Sequence, residues 1–316
     1  MKLEKRGLIY CPQGEHEWEI DTFMTPTACL ISEDVIRIWG GVRNASGVSR
    51  IKYIDVSAQN PGEILYVSDK PVLDIGAPGC FDDNGVILGD VITVKDKLYM
   101  YYVGFQHVEK VKFYAFSGLA ISDDGGESFK RISEVPVMDR SDKGRYGRCI
   151  HSVLHENDIF KVYYAIINDW KIINNIPYPV YNIWYTESED GIHFSREDIC
   201  LCVDTQGMEY RIGRPKVYRT NEGYEMYYTR DLVSKEYLVG YARSKDGRVW
   251  ERMDEKAGLI KSETGWDSQM ACYPVILSAK GKKYMFYNGN DMGRSGVGYA
   301  ELIYKTYGDK KDSPQK

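Results

Sequence analysis

Leu98-Tyr99-Met100-Tyr101-Tyr102 is an aromatic run behind a charged turn, and it has four counterparts along the chain. They are Val35-Ile36-Arg37-Ile38-Trp39, Phe160-Lys161-Val162-Tyr163-Tyr164, Tyr224-Glu225-Met226-Tyr227-Tyr228 and Tyr284-Met285-Phe286-Tyr287. Counted from Trp39, the steps between copies are about 62, 62, 64 and 59 residues. β-Branched and aromatic residues suit a pleated, half-buried surface, so each run reads as a strand. Five units of roughly sixty residues account for nearly all of the 316 residues, which marks a repeat architecture.

Downstream of each run comes a second strand: Ile51-Lys52-Tyr53-Ile54, Gly118-Leu119-Ala120-Ile121, Ile183-Trp184-Tyr185-Thr186, Val239-Gly240-Tyr241-Ala242 and Val297-Gly298-Tyr299-Ala300. Three of these lead into one turn, built on Ser122, Asp124 and Gly125, on Ser188, Asp190 and Gly191, and on Ser244, Asp246 and Gly247. The carboxylate of such a turn accepts backbone N–H groups, and its glycine takes the left-handed backbone region. An aromatic follows each turn (Phe129, Phe194, Trp250) and anchors an outermost strand.

Upstream of each run lies another apolar strand: Thr27-Ala28-Cys29-Leu30-Ile31, Val86-Ile87-Leu88, Cys149-Ile150-His151-Ser152-Val153, Pro215-Lys216-Val217-Tyr218 and Tyr273-Pro274-Val275-Ile276-Leu277. Each unit is therefore four strands, and no amphipathic helix of three turns interrupts them. The pattern predicts an all-β chain, a five-bladed β-propeller of four-stranded antiparallel blades. It forms a single domain over residues 1–308, with a frayed tail at 309–316. Gly7-Leu8-Ile9-Tyr10 is placed to complete the last blade and so remove an open edge.

The formal charge of −5 argues against a nucleic-acid or anionic-membrane partner, both of which select a basic surface. No apolar run reaches the length of a membrane span, and the opening stretch has no apolar core, so no signal peptide is expected. Seven cysteines form no CxxC pair and read as free thiols of a cytoplasmic protein. P-loop, dinucleotide, HExxH and GxSxG signatures are absent. The 26 tyrosines suit the C–H faces and hydroxyls of sugars as well as strands.

In a propeller the first strand of each blade lines the axis, and the loops leading into those strands share one mouth. The residues there are Asp21; Asp82, Asp83 and Asp90; Arg148 and His151; Glu209, Arg211 and Arg214; and Trp266, Asp267 and Tyr273. Four of the five units bring a carboxylate. Paired carboxylates cleave glycosidic bonds, one as acid and one as base or nucleophile. Arginines suit bidentate recognition of carboxylate or phosphate.

These strings carry a resemblance. Gly79-Cys80-Phe81-Asp82-Asp83-Asn84-Gly85-Val86, Gly118 to Gly125, Arg214-Pro215, Trp266-Asp267-Ser268 and Tyr284 to Asn290 resemble the five-bladed propeller superfamily of glycoside hydrolase families 43, 32, 68 and 130. Within that superfamily the chain resembles glycosidase-like proteins of bacterial surface-polysaccharide gene clusters. The resemblance implies an Asp base on blade one, a tuning Asp on blade two and a Glu acid on blade three. Here blade three carries Arg148 and His151 in place of a Glu, and the nearest Glu is Glu209 at the mouth of blade four.

The catalytic candidates are accordingly Glu209, Asp90, Asp83, Asp21 and Asp267, and the substrate-binding candidates are Arg148, His151, Arg211, Arg214, Asp82, Trp266 and Tyr273. Trp170 and Trp184 add stacking faces or core packing. The expected partner is a small-molecule sugar, sugar phosphate or oligosaccharide. No cofactor or catalytic metal is expected, with a structural cation allowed at the axis. Three activities follow: glycoside hydrolysis of a small sugar conjugate, neutral or anionic, phosphorolysis with phosphate held by Arg and His, and carbohydrate binding without catalysis.

Overall fold

A computed structural model describes residues 2–194, 200–234 and 236–303. Its elements are almost entirely antiparallel strands. Among the described residues, strand β1 (Lys2–Tyr10) precedes four groups of four strands and a last group of three. The first is β2 (Asp21–Leu30), β3 (Val35–Arg43), β4 (Ser49–Ser57) and β5 (Ile64–Val67). The second is β6 (Val86–Val94), β7 (Lys97–Gln106), β8 (Tyr114–Ser122) and β9 (Lys130–Arg131). The third is β10 (Gly147–Glu156), β11 (Ile159–Ile173), β12 (Ile176–Ser188) and β13 (Cys200–Val203). The fourth is β14 (Glu209–Thr220), β15 (Gly223–Leu232), β16 (Tyr237–Ser244) and β17 (Glu251–Arg252). Strands β18 (Cys272–Ala279), β19 (Lys282–Asn288) and β20 (Val297–Ile303) form the last sheet, and β1 supplies its fourth strand by pairing with β20.

These make four hydrogen-bonded sheets, because the second and third groups are joined by one parallel pair, Gly147 beside Ala115. The five expected aromatic runs are β3, β7, β11, β15 and β19. Among the described residues no helix exceeds four residues, and none is long and apolar enough to cross a membrane. The expected tail at 309–316 lies outside the described residues.

The turn chemistry read from the sequence is present in all three copies. Asp124 accepts from the backbone of Glu127 and Ser128, Asp190 from Ile192 and His193, and Asp246 from Arg248 and Val249, at 2.8–3.1 Å. Gly125, Gly191 and Gly247 have φ of 76°, 72° and 79°, the region glycine enters without steric cost. Each turn also ties its group to the preceding one. Trp39 Nε1 donates to Gly126 O at 3.0 Å, Tyr101 OH to Gly191 O at 3.0 Å, and Tyr163 OH to Gly247 O at 2.9 Å.

The first strands of the groups touch in cyclic order: β2 meets β6, β6 meets β10, β10 meets β14, β14 meets β18, and β18 meets β2. Apolar clusters fill the spaces between successive sheets, as where Val275 and Phe286 pack on Phe23 and Ile38. Buried polar groups stitch the same seams. Asn288, fully buried, accepts from Thr25 N at 2.7 Å and donates to the carbonyls of Phe23 and Gly296.

Candidate functional site

All five inner strands break their ladders at the same level. Pairing skips from Met24 to Thr27 in β2, from Leu88 to Asp90 in β6, from Ile150 to Ser152 in β10, from Gly213 to Lys216 in β14 and from Cys272 to Val275 in β18. The residues left over are Thr25-Pro26, Gly89, His151, Arg214-Pro215 and Tyr273-Pro274. Proline lacks the N–H a ladder needs, so within a sheet it settles at such bulges. Thr25, Arg214 and Tyr273 have φ of 54°, 53° and 53°, which a side chain with a Cβ adopts only when its surroundings enforce it. A bulge re-aims side chains, and this ring of five turns His151, Arg214 and Tyr273 toward a common hollow.

Above the ring lies a cavity of about 230 Å³. Arg43, Lys112, His151, Arg211 and Arg214 line it, and among the described residues no carboxylate does. Tyr178, Tyr181, Tyr237 and Tyr273 line it as well. Three of the hydroxyls run in file: Tyr181 to Tyr237 at 3.3 Å, and Tyr273 to Tyr237 at 3.3 Å. Tyr181 reaches its place across Gly213, where a Cβ would come within 2.6 Å of the ring.

Arg211 sits among Tyr178, Tyr181, Tyr210 and Tyr237, each ring centre 5.2–5.6 Å from the guanidinium carbon. Asp231 holds it from behind, at 3.0 and 2.7 Å. Arg214 donates to Leu88 O and, at 3.0 Å, to His151 Nδ1. Among the described residues no carboxylate is within ion-pairing distance of Arg214, Arg43 or Lys112. Thr25 Oγ1 and Arg43 Nε, both at this cavity, are buried without a hydrogen-bond partner. Unpaired cations in a partly desolvated hollow attract an anion.

Burial, followed by the charge of Arg214, pushes His151 well below its ordinary 6.5. The folded imidazole is therefore neutral and accepts on Nδ1, leaving Nε2–H as a donor. A depressed histidine contributes stability that is complete above pH 6.5 and is lost as pH falls, because the unfolded chain takes up a proton the folded one refuses. Below pH 6.5, stability should fall by about 1.4 kcal/mol per pH unit from this group. Urea melts of His151→Gln between pH 7 and 5 should show a shallower slope than the wild-type chain. An equal slope would assign the proton uptake elsewhere.

The carboxylates expected at the mouth are engaged elsewhere. Glu209 opens β14, and its side chain, 3% exposed, is clamped by Arg252 at 2.8 Å and Arg230 at 3.2 Å. Burial alone would raise it, but Arg252, the Gln206 N–H and Arg230 hold it below the ordinary range, the opposite of what a general acid needs. Asp90, fully buried, takes the backbone N–H of Val91 and Val153 at 2.9 Å and the ammonium of Lys216. Asp82 pairs with Arg131 at 2.8 Å, and Asp83 caps its own turn at Gly79 N. Asp267 bonds Lys5 at 2.5 Å and Tyr287 at 2.8 Å. Asp21 belongs to β2 rather than preceding it, and it pairs with Arg294 at 2.9 Å.

Of the binding candidates, His151, Arg211, Arg214 and Tyr273 line the cavity. Arg148 does not. Strand alternation puts it on the face opposite Cys149 and His151, against Tyr164. Trp266 packs on Tyr287 with ring centres 5.0 Å apart. Trp170 stands behind the rim, edge-on to Phe113. Among the described residues no three His, Cys, Asp or Glu gather where a metal ion could sit.

Arg43, Lys112, Tyr178, Tyr181 and Tyr237 are lining residues not singled out in the sequence. Tyr178 and Tyr181 arrive on an overlong hairpin, β11–β12, of 15 and 13 residues. Pro26, Pro215 and Pro274 inside apolar runs were the available signal for the bulges.

No family model matches the chain. Among solved structures, a thermostable family-43 glycoside hydrolase superposes with a TM-score of 0.68 at 18% identity, over 93% of this chain and 95% of that one. The β-1,2-mannobiose phosphorylase of Listeria innocua, solved with β-1,2-mannobiose, gives 0.68 at 11% identity over 96% and 97%. The resemblance to these glycosidases drawn from the sequence thus holds for the fold. The protein Rv1502 of Mycobacterium tuberculosis, itself uncharacterized, is 30% identical over 304 residues, 96% of this chain and 99% of that one. By that full-length identity the chain belongs to the family of Rv1502, on a fold shared with family-43 and family-130 glycoside hydrolases.

Proposed function

We propose that the five strand groups are the blades of a five-bladed propeller, one domain over residues 1–308, and that its central cavity receives a carbohydrate bearing an anionic group. One observation carries the anion: Arg43, Lys112, Arg211 and Arg214 line the cavity and, among the described residues, no carboxylate does. Glycosidase-type neighbours support a glycosidase-like or phosphorylase-like enzyme for the sugar part. Cys11, Cys29, Cys80, Cys149 and Cys272 are free thiols, which supports the cytoplasm as its location.

Hydrolysis by an acid–base pair fits this lining poorly, since both groups would have to face the cavity. The cluster of Arg214, Arg43 and His151 favours a second reading, phosphorolysis. There an oxygen of dihydrogen phosphate attacks the anomeric carbon, the glycosidic C–O bond breaks, and the proton shed by the phosphate ends on the leaving oxygen. Calorimetric titration with glucuronate and glucose 1-phosphate should show binding, with neutral glucose at least about 30-fold weaker, the ratio worth roughly 2 kcal/mol. Equal affinity for neutral and anionic sugars would remove the anionic substrate. Release of sugar 1-phosphate from a disaccharide, dependent on added phosphate, would select phosphorolysis.

A further inference from the structure

The cavity has two unlike walls. One carries Arg211, Arg214, Tyr237 and Tyr273 from the fourth and last strand groups, with Thr25 from the first. The other comes from the second and third groups: Ile87 on β6, Val103 and Phe105 on β7, Phe113 just before β8, and Ile167 on β11. Phe105 and Phe113 meet edge to face at 5.1 Å, and Phe113 meets Trp170 at 5.1 Å, so this wall is a packed aromatic surface. These five side chains offer neither donor nor acceptor; Lys112, His151, Tyr178 and Tyr181 of the same two groups line the cavity beside them.

A bare sugar presents hydroxyls on nearly every carbon. A hydroxyl pressed on the second wall would lose its water partners and gain nothing. An apolar group there is driven in by the area it removes from water. Resting on the anionic reading above, we infer that the ligand is amphiphilic: the anionic group is held by Arg214 and Arg43, and an acyl, alkyl or aryl substituent lies on Ile87, Val103, Phe105 and Phe113. This sets the substrate class apart from plain oligosaccharides.

The test uses the full chain and three simple probes: inorganic phosphate, phenyl phosphate and phenyl β-glucoside, titrated by calorimetry. Phenyl phosphate should bind at least tenfold more tightly than phosphate. Phe113→Ala, at a half-buried loop position, should remove most of that gain and leave phosphate affinity unchanged. Val103→Thr, which keeps the shape and adds a hydroxyl, should do the same in part. Equal binding of phosphate and phenyl phosphate, or a gain that survives both variants, overturns the inference. If phenyl β-glucoside binds as well as phenyl phosphate while phosphate does not bind, the apolar wall stands and the anionic reading falls.

Discussion

Asp90→Ala is expected to lose about 3–5 kcal/mol of folding stability, the cost of breaking a buried pair from one side. Asp90 is fully buried and serves three strands at once: its own through Val91 N, β10 through Val153 N and β14 through the Lys216 ammonium. Removing the carboxylate orphans two N–H groups and leaves Lys216, whose side chain is 16% exposed, without its partner. Asp90→Asn keeps acceptor oxygen but not the charge, so it should lose roughly half as much. The measurement is a denaturant midpoint at constant slope. A variant as stable as the parent but inactive would return Asp90 to the catalytic candidates.

Arg214→Ala is expected to weaken anionic ligands by about 2–3 kcal/mol, roughly 30- to 150-fold, and neutral ones far less. The guanidinium is half-buried, spends one nitrogen on Leu88 O and His151, and has no carboxylate beside it among the described residues. Burial pulls it below its ordinary value, yet an arginine stays charged, so the charge is available to a ligand. Arg214→Lys should fall between, keeping the charge and losing the fork. Titration of each variant with paired anionic and neutral sugars decides it; equal losses for both would make Arg214 a packing residue.

Most of the architecture was legible because its signals are local. The Ser-x-Asp-Gly turns satisfy their own backbone, and the aromatic strands declare themselves by composition. The site was legible only in part. Glu209 looked like an acid because its partners, Arg230 and Arg252, lie 21 and 43 residues further on and are brought beside it by strand register. Arg211 and Arg214 are three apart, which in a regular strand places them on opposite faces. The Arg214-Pro215 bulge cancels that alternation and brings both to the cavity. Arg148 has no bulge between it and Cys149, so it stays on the other face.

The pairing of β1 with β20 bears on how the chain is made. Lys2–Tyr10 is synthesised nearly three hundred residues before its partner, Val297–Ile303. At ordinary synthesis speeds the nascent segment waits on the order of 15–60 s without a neighbour. Its composition is suited to the wait: Lys2, Glu4, Lys5 and Arg6 interrupt the apolar positions and discourage a stray strand from docking in the interval.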